Sequence, residues 1–314
     1  MNPRIEDSVT RVGPDCWLLG SLYVCEVTNT ATSNAVTSWM HDGKTYQIRK
    51  SSEDDSGLSN DSAADRIHHA GTSAAVWNIG GTFIKVKAWR SGMQRESDTI
   101  HFVKSTSSVP VPEVVFSWVD VDWNRSFLIL EALKGQTLDH AWKTLSTNQR
   151  TQVADTVAQY CKELACGTSE RLMTEKGSSL QDQFLTRHPP DAEPSWKPWT
   201  LGPYSSHQLE DYLSESLEGQ FDLFYFYHAD LGPSNIILSG DGSIVGILDW
   251  ESAAYYPKFW LGTKPLVSAG FFLQGTGERR AWATLLVESL EREGFPTDMQ
   301  LYRKWAKAIG NDWI

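Results

Sequence analysis

The chain has 314 residues, of which 40% are hydrophobic and 21% are charged, so it is long enough for a substantial core. Its net charge of −11 and the lack of a Lys/Arg cluster argue against nucleic-acid binding. The most apolar early stretch, Trp17–Val24, is too short to span a bilayer, and no basic leader precedes it. Neither membrane insertion nor secretion is therefore expected, and a cytoplasmic location is the default.

The first 65 residues carry the weakest patterns. Trp17–Val24 is predicted as a first strand, within an early group of possible strands over Trp17–Thr28 and Lys44–Arg49. Ser51–Asp65 mixes five acidic residues with serines and has no apolar period, which predicts a solvated loop rather than a substrate lid. The four cysteines lack metal-ligand spacing and are expected to be reduced thiols, mostly buried.

Two clearer strands follow. Val76–Ile79 and Thr82–Ala88 flank a Gly80-Gly81 turn, and the second strand alternates so that Lys85 and Lys87 point to the same face. The two glycines lack the spacing of a protein-kinase glycine loop, and they describe an ordinary hairpin equally well. The sequence alone leaves these two interpretations open.

The next elements alternate between helix and strand before helices dominate. Gln94–Val103 predicts a helix, Ser126–Leu130 an apolar strand, and Glu131–Gly135 a hinge after which Thr137 can cap a helix. Apolar residues at helical spacing predict four further helices, at Gln149–Ala165, Ser205–Leu217, Glu278–Arg292 and Thr297–Ile309.

The most informative segment is FYHADLGPSNIILSGDGSIVGILDW, which ends at Trp250. With the three residues before it, this segment predicts three short strands, Leu223–Tyr227, Ile236–Leu238 and Ile244–Leu248, of which the last two form a hairpin around Ser239–Gly242. Three polar side chains then emerge at strand ends and loops. We expect Asp230, Asn235 and Asp249 to meet in one cleft.

These residue types suit magnesium-dependent phosphoryl transfer, in which a protein mainly positions reactants and neutralises charge. Asp230 would orient an acceptor hydroxyl and accept its proton, while Asn235 and Asp249 would supply oxygen ligands to Mg²⁺. His228 is expected to support the loop rather than to carry a proton. The His-x-Asp motif at 228–230 and the Asp-Trp motif at 249–250 are each weak signals alone. Their order, their spacing and the hairpin between them agree with a single phosphotransfer site.

The strings HADLGPSNII, GILDWE and AAYYPKFW resemble the aminoglycoside phosphotransferase and choline kinase family, especially fungal members of unassigned substrate. The resemblance covers most of the chain and is strongest from Phe226 to Lys264. It implies an α+β, two-lobed protein-kinase-like fold with ATP in the cleft. Residues 1–134 would form a small β-rich N-lobe, and residues 135–314 a larger, mainly helical C-lobe.

The resemblance also implies roles in the N-lobe. Lys85 matches the family lysine that contacts the α- and β-phosphates, and this match favours it over Lys87. Glu96 stands where the family has a glutamate paired with that lysine, although a glutamate on a solvated helix face is an equal alternative. Backbone amides near Gly80 and Gly81 could approach the phosphates.

The hinge and the acceptor site are the remaining expectations. By the same resemblance, backbone groups of Glu131 and Leu133 would contact adenine. Glu251 and Tyr256 are expected to border the acceptor because both closely follow Asp249. The acidic composition favours a cationic acceptor, and aromatic residues near the cleft favour a flat or cationic one. Core packing is nevertheless the more common role for four tryptophans, Trp196, Trp199, Trp250 and Trp260.

The sequence thus predicts an ATP- and Mg²⁺-dependent phosphotransferase that acts on a hydroxyl of a small molecule. One alternative is activation of a carboxylate through an acyl phosphate, and another is a non-catalytic kinase-like binding module. The complete set of Asp230, Asn235 and Asp249 argues against the second alternative. The acceptor, the choice between ATP and GTP, and the oligomeric state are left open.

Overall fold

A computed structural model describes residues 3–52, 55, 65–187, 200–213, 221–275 and 277–311. The chain divides into two compact units. Unit 1 contains the described residues of Met1–Met93 and Glu113–Ala132, and unit 2 contains those of Gln94–Pro112, Leu133–Glu193 and Pro198–Ile314. Unit 1 is β-rich and unit 2 holds the helices, which confirms the α+β class. The lobe boundary expected at residue 134 remains a prediction.

Unit 1 contains two five-stranded antiparallel sheets. The first has the order β1-β2-β3-β5-β4, with strands Val9–Gly13 (β1), Cys16–Leu19 (β2), Tyr23–Thr28 (β3), Ala35–His41 (β4) and Lys44–Lys50 (β5). The second has the order β6-β7-β8-β10-β9, with strands Arg66–Ala70 (β6), Ala74–Ile79 (β7), Thr82–Ala88 (β8), Val114–Asp120 (β9) and Arg125–Glu131 (β10). One hydrophobic core is built from residues of both sheets, including Trp17, Ile48, Trp77 and Phe127.

The structure confirms β7, β8 and β10 of the second sheet and the strand predicted at Lys44–Arg49, which is β5 of the first, whereas β6 and β9 were not predicted. Strand β8 has the predicted bounds and alternates in burial, so Lys85 and Lys87 share its more exposed face. The prediction of Trp17–Val24 as a first strand is wrong, because Gly20 adopts a left-handed φ of 64° and separates β2 from β3. Strand β1 precedes both. Most of the acidic stretch Ser51–Asp65 lies outside the described residues.

Unit 2 combines helices with short strands. Its helices are Glu96–Thr106 (α1), Leu138–Ala141 (α2), Thr147–Leu164 (α3), Ser206–Leu213 (α4), Lys258–Val267 (α5), Ala281–Arg292 (α6) and Met299–Ala308 (α7). Its strands are Gln136–Thr137 (β11), Thr168–Ser169 (β12), Arg171–Leu172 (β13), Leu180–Gln181 (β14), Thr200–Leu201 (β15), Tyr204–Ser205 (β16), Phe224–Tyr227 (β17), Ile236–Leu238 (β18), Ile244–Ile247 (β19) and Ala254–Pro257 (β20). Strands β17 and β20 pair, and β18 lies between β11 and β19.

The predicted helices are present, with ends set by local capping. Thr137 accepts a hydrogen bond from the His140 amide and caps α2, as expected. Ser146 and Gln149 form a reciprocal capping box at the start of α3. The predicted end of the Ser205–Leu217 helix lies outside the described residues. Within the part of the chain that the structure describes, no helix is long and apolar enough to cross a membrane.

The cysteines only partly follow the expectation. All four are free, as predicted, but only Cys25 and Cys161 are buried, whereas Cys166 is exposed. Burial raises the pKa of the Cys25 and Cys161 thiols well above the usual value. These two thiols therefore act as small apolar core groups.

A buried carboxylate links the two sheets of unit 1. Asp120, at the end of β9, is fully buried and accepts hydrogen bonds from the Ser21 amide at 2.7 Å and the Ser21 hydroxyl at 2.9 Å. Its other oxygen accepts from the Trp123 amide at 3.0 Å. The turn between β2 and β3 is thereby fixed to the second sheet.

We predict that Asp120→Ala destabilises the protein by about 2–4 kcal/mol, because it leaves buried donors without an acceptor. Denaturant unfolding followed by tryptophan fluorescence measures the change. Asp122→Ala is the control, since Asp122 is exposed two residues away and its removal should shift stability little. Equal effects of the two substitutions would contradict the role given to Asp120.

Candidate active site

The predicted site is built around the loop of residues 228–235, which connects β17 to β18 in unit 2. Strands β18 and β19 form the expected hairpin, closed by the Ser239 amide bonded to the Ser243 carbonyl at 2.9 Å. Strand β19 runs back to Leu248 and Asp249. The hairpin therefore returns the chain to the loop that carries Asp230 and Asn235.

The main chain of Leu248 joins the two segments. Its N–H donates to the Asn235 carbonyl at 2.8 Å, and its carbonyl lies 2.9 Å from His228 Nε2. His228 Nδ1 accepts from the Asp230 amide at 3.1 Å, so the neutral Nε2–H tautomer satisfies both contacts. The ring is fully buried, and this placement is that of a supporting residue.

Asn235 and Asp230 are directly bonded. Asn235 Nδ2 donates to the Asp230 carbonyl at 2.9 Å and to Asp230 Oδ2 at 3.1 Å. The side-chain nitrogen of Asn235, Nδ2, thus bonds to Asp230, and Oδ1 is the atom of this side chain that can serve as an oxygen ligand for a metal ion. The two contacts fix the orientation of the Asp230 carboxylate.

Two residues of the site have unusual backbone conformations. Ala229 has a φ of 64°, and Asp249 has a φ of 64° and a ψ of 62°, both in the left-handed region. Residues with a Cβ adopt this region at a cost of about 1–3 kcal/mol, and such residues cluster at functional sites. Ala229 immediately precedes Asp230, and Asp249 begins the turn that carries Glu251.

The loop is supported by parts of unit 2 that are distant in the sequence. The buried Trp282 indole on α6 donates to the Leu231 carbonyl at 2.9 Å, and the Asp139 amide donates to the Pro233 carbonyl at 3.0 Å. A Cβ on Gly232 would lie only 2.2 Å from the Gly270 carbonyl oxygen. Glycine is therefore required at position 232 by the close approach of two backbones.

The Asp230 carboxylate stands in an environment that resists ionisation. Burial raises its pKa to about 6, and the nearby Asp249 carboxylate adds to the rise. Lys264 opposes the shift, Glu251 adds to it, and the hydrogen bond from Asn235 lowers it slightly. A raised pKa at a bonded carboxylate in such a loop is typical of a general base.

Three carboxylates lie close together beside the loop. Single oxygens of Glu96, Asp249 and Glu251 fall within 4.8 Å of one another. Glu96 Oε1 also accepts from the Trp250 amide at 3.1 Å, which ties the start of α1 to the turn after Asp249. Carboxylate oxygens are the donors that Mg²⁺ prefers, so the residues present fit a magnesium ion. The pairing of Glu96 with Lys85 remains a prediction.

Glu251 and Tyr256, the two residues predicted to border the acceptor, have different surroundings. Glu251 lies beside Asp249, whereas the Tyr256 side chain is fully buried and its hydroxyl donates to the Ser252 carbonyl at 2.7 Å. Trp250 and Trp260 are also fully buried, as their expected core role requires. Trp196 and Trp199 lie outside the described residues. Tyr256 therefore supports the turn after Asp249 from inside the core.

Sequence reasoning missed a buried ion pair. Lys264 Nζ on α5 lies 2.7 Å from Asp182 Oδ2, and both side chains are almost inaccessible to solvent. The Trp260 indole donates to the same oxygen at 2.8 Å. The one available signal was a lysine within the apolar helix KFWLGTKPLV, since lysines are seldom buried without a partner.

The remaining predicted residues have the following surroundings. In unit 1, Lys85 lies opposite Leu128 of β10 and Val76 of β7. The Glu131 N–H donates to the Glu113 carbonyl at 3.0 Å. In unit 2, the Leu133 side chain packs closely on Gly246. A Cβ added to Gly246 would lie 2.1 Å from Leu133 Cδ1.

The chain matches a known protein family. The sequence model of the phosphotransferase enzyme family, APH, matches residues 83–258, which include every residue of the 228–235 loop and Asp249. That span exceeds half of the chain. The protein therefore belongs to the APH phosphotransferase family, and the resemblance seen in the sequence is confirmed. No curated protein matches the chain at the level taken as significant.

Solved structures with a similar fold are distant in sequence. A thermostable mutant of aminoglycoside phosphotransferase APH(4)-Ia, in ternary complex with AMP-PNP and hygromycin B, is 17% identical with a TM-score of 0.49. The match covers 79% of this chain and 84% of that one. The GDP and kanamycin complex of APH(2")-IIia is 14% identical with a TM-score of 0.44, covering 77% and 80%. A putative aminoglycoside phosphotransferase from Ralstonia eutropha is 16% identical with a TM-score of 0.40, covering 78% and 74%.

We predict that Asp230→Asn stabilises the metal-free protein at pH 8. Folding raises the Asp230 pKa from 3.8 to about 6, so the ionised carboxylate lowers stability above pH 6. A shift of about two pKa units corresponds to about 2–3 kcal/mol of unfolding free energy. The gain should shrink as the pH falls from 6 to 4, where Asp230 becomes protonated, and asparagine can still accept the bond from Asn235.

Denaturant unfolding in EDTA at pH 8 and pH 4 measures this difference. Asp222→Asn is the matched control, because Asp222 is exposed and lies in the same region of the chain. A gain at pH 8 that persists unchanged at pH 4 would show that the effect does not come from the Asp230 charge.

Proposed function

We propose that the protein is an ATP- and Mg²⁺-dependent phosphotransferase that moves the γ-phosphoryl group to a hydroxyl of a small molecule. The carrying observation is the bonded pair of Asp230 and Asn235, held by Leu248 next to Asp249. Family membership supports transfer of a phosphoryl group. Asp249 and Asn235 have side-chain oxygens that would bind a metal ion next to the Asp230 carboxylate, and Asp230 would contact the acceptor.

Asp230 would act on the acceptor. Its carboxylate orients the hydroxyl and accepts its proton as the bond to phosphorus forms, which is the usual part of an aspartate in phosphoryl transfer. Asn235 keeps this carboxylate in one orientation through the bond to Oδ2. The raised pKa makes Asp230 a better proton acceptor than an exposed aspartate once it is ionised.

Asn235 Oδ1 and Asp249 would hold Mg²⁺, with Glu251 and Glu96 as neighbouring carboxylates. When bound, the ion neutralises charge on the phosphates of the nucleotide. The Trp250 amide holds Glu96 at this position. Glu251 is accordingly proposed at the metal side of the site as well as near the acceptor.

The nucleotide is proposed to be bound by residues before position 134. Lys85 is proposed to contact the α- and β-phosphates with Glu96 as its partner, and the amides near Gly80 and Gly81 to approach them. Main-chain atoms of Glu131 and Leu133 are proposed to contact adenine. We also propose that the N-lobe ends at residue 134 and that the protein is cytoplasmic.

The acceptor is proposed to be a small, cationic molecule with hydroxyl groups. The net charge of −11 favours attraction of a cation over an anion. Hygromycin B, kanamycin and streptomycin, which occur in complexes of structurally similar proteins, serve here as trial acceptors.

The decisive test incubates the wild type and Asp230→Ala with Mg-ATP and either trial acceptors or a metabolite extract. ADP release and new product masses are followed together. We expect a product that carries an added phosphoryl group, and a kcat lowered by about 10²–10⁴-fold in the variant because the general base is lost. Asp222→Ala, which removes an exposed aspartate, should leave the rate unchanged.

Other outcomes of this test point elsewhere. Asp230-dependent ADP release with a new product that lacks phosphate would favour the acyl-phosphate alternative. No Asp230-dependent turnover across varied extracts would contradict the proposal and favour a binding module.

We also predict that Asp249→Asn weakens Mg²⁺ binding to the AMP-PNP complex by about 100-fold or more, because even supporting residues of metal sites contribute about 10- to 100-fold. Electron paramagnetic resonance of Mn²⁺, used in place of Mg²⁺, measures the affinity. Asp222→Asn is the control. Unchanged Mn²⁺ affinity in Asp249→Asn would remove Asp249 from the metal site.

A further inference from the structure

The short turn that follows α5, at residues 268–271, lies against the loop that carries Asp230. The Phe271 amide donates to the Ser268 carbonyl at 3.2 Å and closes the turn. Ser268 and Phe271 at its ends are buried, whereas Gly270 is exposed. The turn is therefore anchored at both ends, and it lies beyond the last residue of the family match.

Gly270 faces the Asp230 carboxylate. A Cβ on Gly270 would lie 3.2 Å from Asp230 Oδ1 and 3.3 Å from Ser268 Oγ. In the described part of the chain, and apart from the two neighbours of Gly270, no other heavy atom comes within 4 Å of that position. Two oxygens thus border one space beside the Gly270 Cα. Since Gly270 is exposed, a small molecule can reach this side of Asp230.

The two oxygens have the hydrogen-bonding capacity that a hydroxyl compound needs. The bond that Asn235 Nδ2 donates to the Asp230 carboxylate goes to Oδ2, at 3.1 Å, which leaves Oδ1 to accept from an acceptor hydroxyl. The Ser268 hydroxyl accepts from the Gly270 amide at 3.2 Å. A hydroxyl also carries a proton of its own, so Ser268 can donate to an oxygen of the acceptor.

The backbone does not require a glycine at position 270. Its φ lies outside the left-handed region, so alanine could adopt the same conformation. Residue 270 also lies within a single 3₁₀ turn, and glycine inside a helical segment is less stable than alanine. The effect of having no side chain at this position is that the side of Asp230 next to Ser268 stays open.

We propose that Gly270 is a specificity-determining residue for the acceptor, whose reacting hydroxyl bonds to Asp230 Oδ1 in the space beside Gly270. Ser268 Oγ donates to a second, non-reacting oxygen of the same molecule. This inference rests on the proposed function, because it takes Asp230 as the residue that contacts the acceptor. A methyl group at position 270 would enter this space and displace the hydroxyl, and a displacement of about 1 Å can lower a rate about 100-fold.

The first test uses Gly270→Ala, which fills the space without changing the charge of the site. The full-length wild type and variant are incubated with Mg-ATP and the metabolite extract at several dilutions, and phosphorylated products are quantified by mass. We expect kcat/KM for these products to fall about 10- to 100-fold. The affinity for Mg-AMP-PNP, measured by calorimetry, should be unchanged. The midpoint of denaturant unfolding should not fall, because alanine is favoured over glycine in a helical turn.

Gly240→Ala is the matched control for this substitution. Gly240 is an exposed glycine in the turn between β18 and β19, and its φ also lies outside the left-handed region. Apart from its chain neighbours, no heavy atom of the described residues lies within 4 Å of its Cβ position. The substitution should leave product formation, nucleotide affinity and stability unchanged.

Ser268→Ala tests the second contact and does not depend on whether Gly270→Ala folds well. We expect KM, expressed as extract concentration, to rise about five- to tenfold for the loss of one hydrogen bond. The kcat should stay unchanged, because a bond to a non-reacting oxygen is equally strong in the ground state and the transition state. Ser146→Ala, which removes the capping serine of α3, is the control for the loss of a cap and should leave KM unchanged.

The outcomes separate this inference from the proposed function. If the wild type forms phosphorylated products and Gly270→Ala forms them equally fast, the role of Gly270 is overturned and the proposed function stands. A parallel loss of AMP-PNP affinity or stability would also overturn it, since that result reports general damage. An unchanged KM in Ser268→Ala would exclude the contact from Ser268. If the wild type forms no phosphorylated product, the proposed function fails and the inference fails with it.

Discussion

The main chain of Leu248 is the contact on which the site depends. Its N–H and carbonyl are engaged by Asn235 and His228, two residues of the loop that carries Asp230. Backbone hydrogen bonds shielded from water are costly to leave unmade, and Leu248 is partly buried, so separating the two segments would lower stability. The position of Asp249, the next residue, follows directly from this pairing, and so does the electrostatic influence of Asp249 on Asp230.

The site concentrates features that work against stability. Ala229 and Asp249 occupy the left-handed region, and a partly buried Asp230 lies near other carboxylates. The charge of Lys264, which lowers the Asp230 pKa, and the bond from Trp282 to the loop oppose these costs. Such strain is retained only where neighbouring contacts determine the conformation, which agrees with a functional rather than a merely structural loop.

The sequence predicted the elements that depend on local patterns. The hairpin from Ile236 to Ile247, the alternation of β8 and the helix cap at Thr137 all arise from neighbouring residues, so short-range rules find them. The bond between Lys264 and Asp182 joins residues 82 positions apart, and no local pattern marks such a pair. The close approach of Tyr46 to Gly80, where a Cβ would lie 2.6 Å from the ring, is hidden for the same reason.

The support from Trp282 and Gly270 has a consequence for how this fold can be divided and recombined. Both residues lie after position 258, where the family match ends, yet they determine the backbone of the 228–235 loop. A chimaera that exchanged the chain after that position would keep Asp230, Asn235 and Asp249 and lose contacts that shape the loop. A substitution of Trp282 in α6 would likewise disturb a loop 51 residues earlier, although position 282 lies outside every motif.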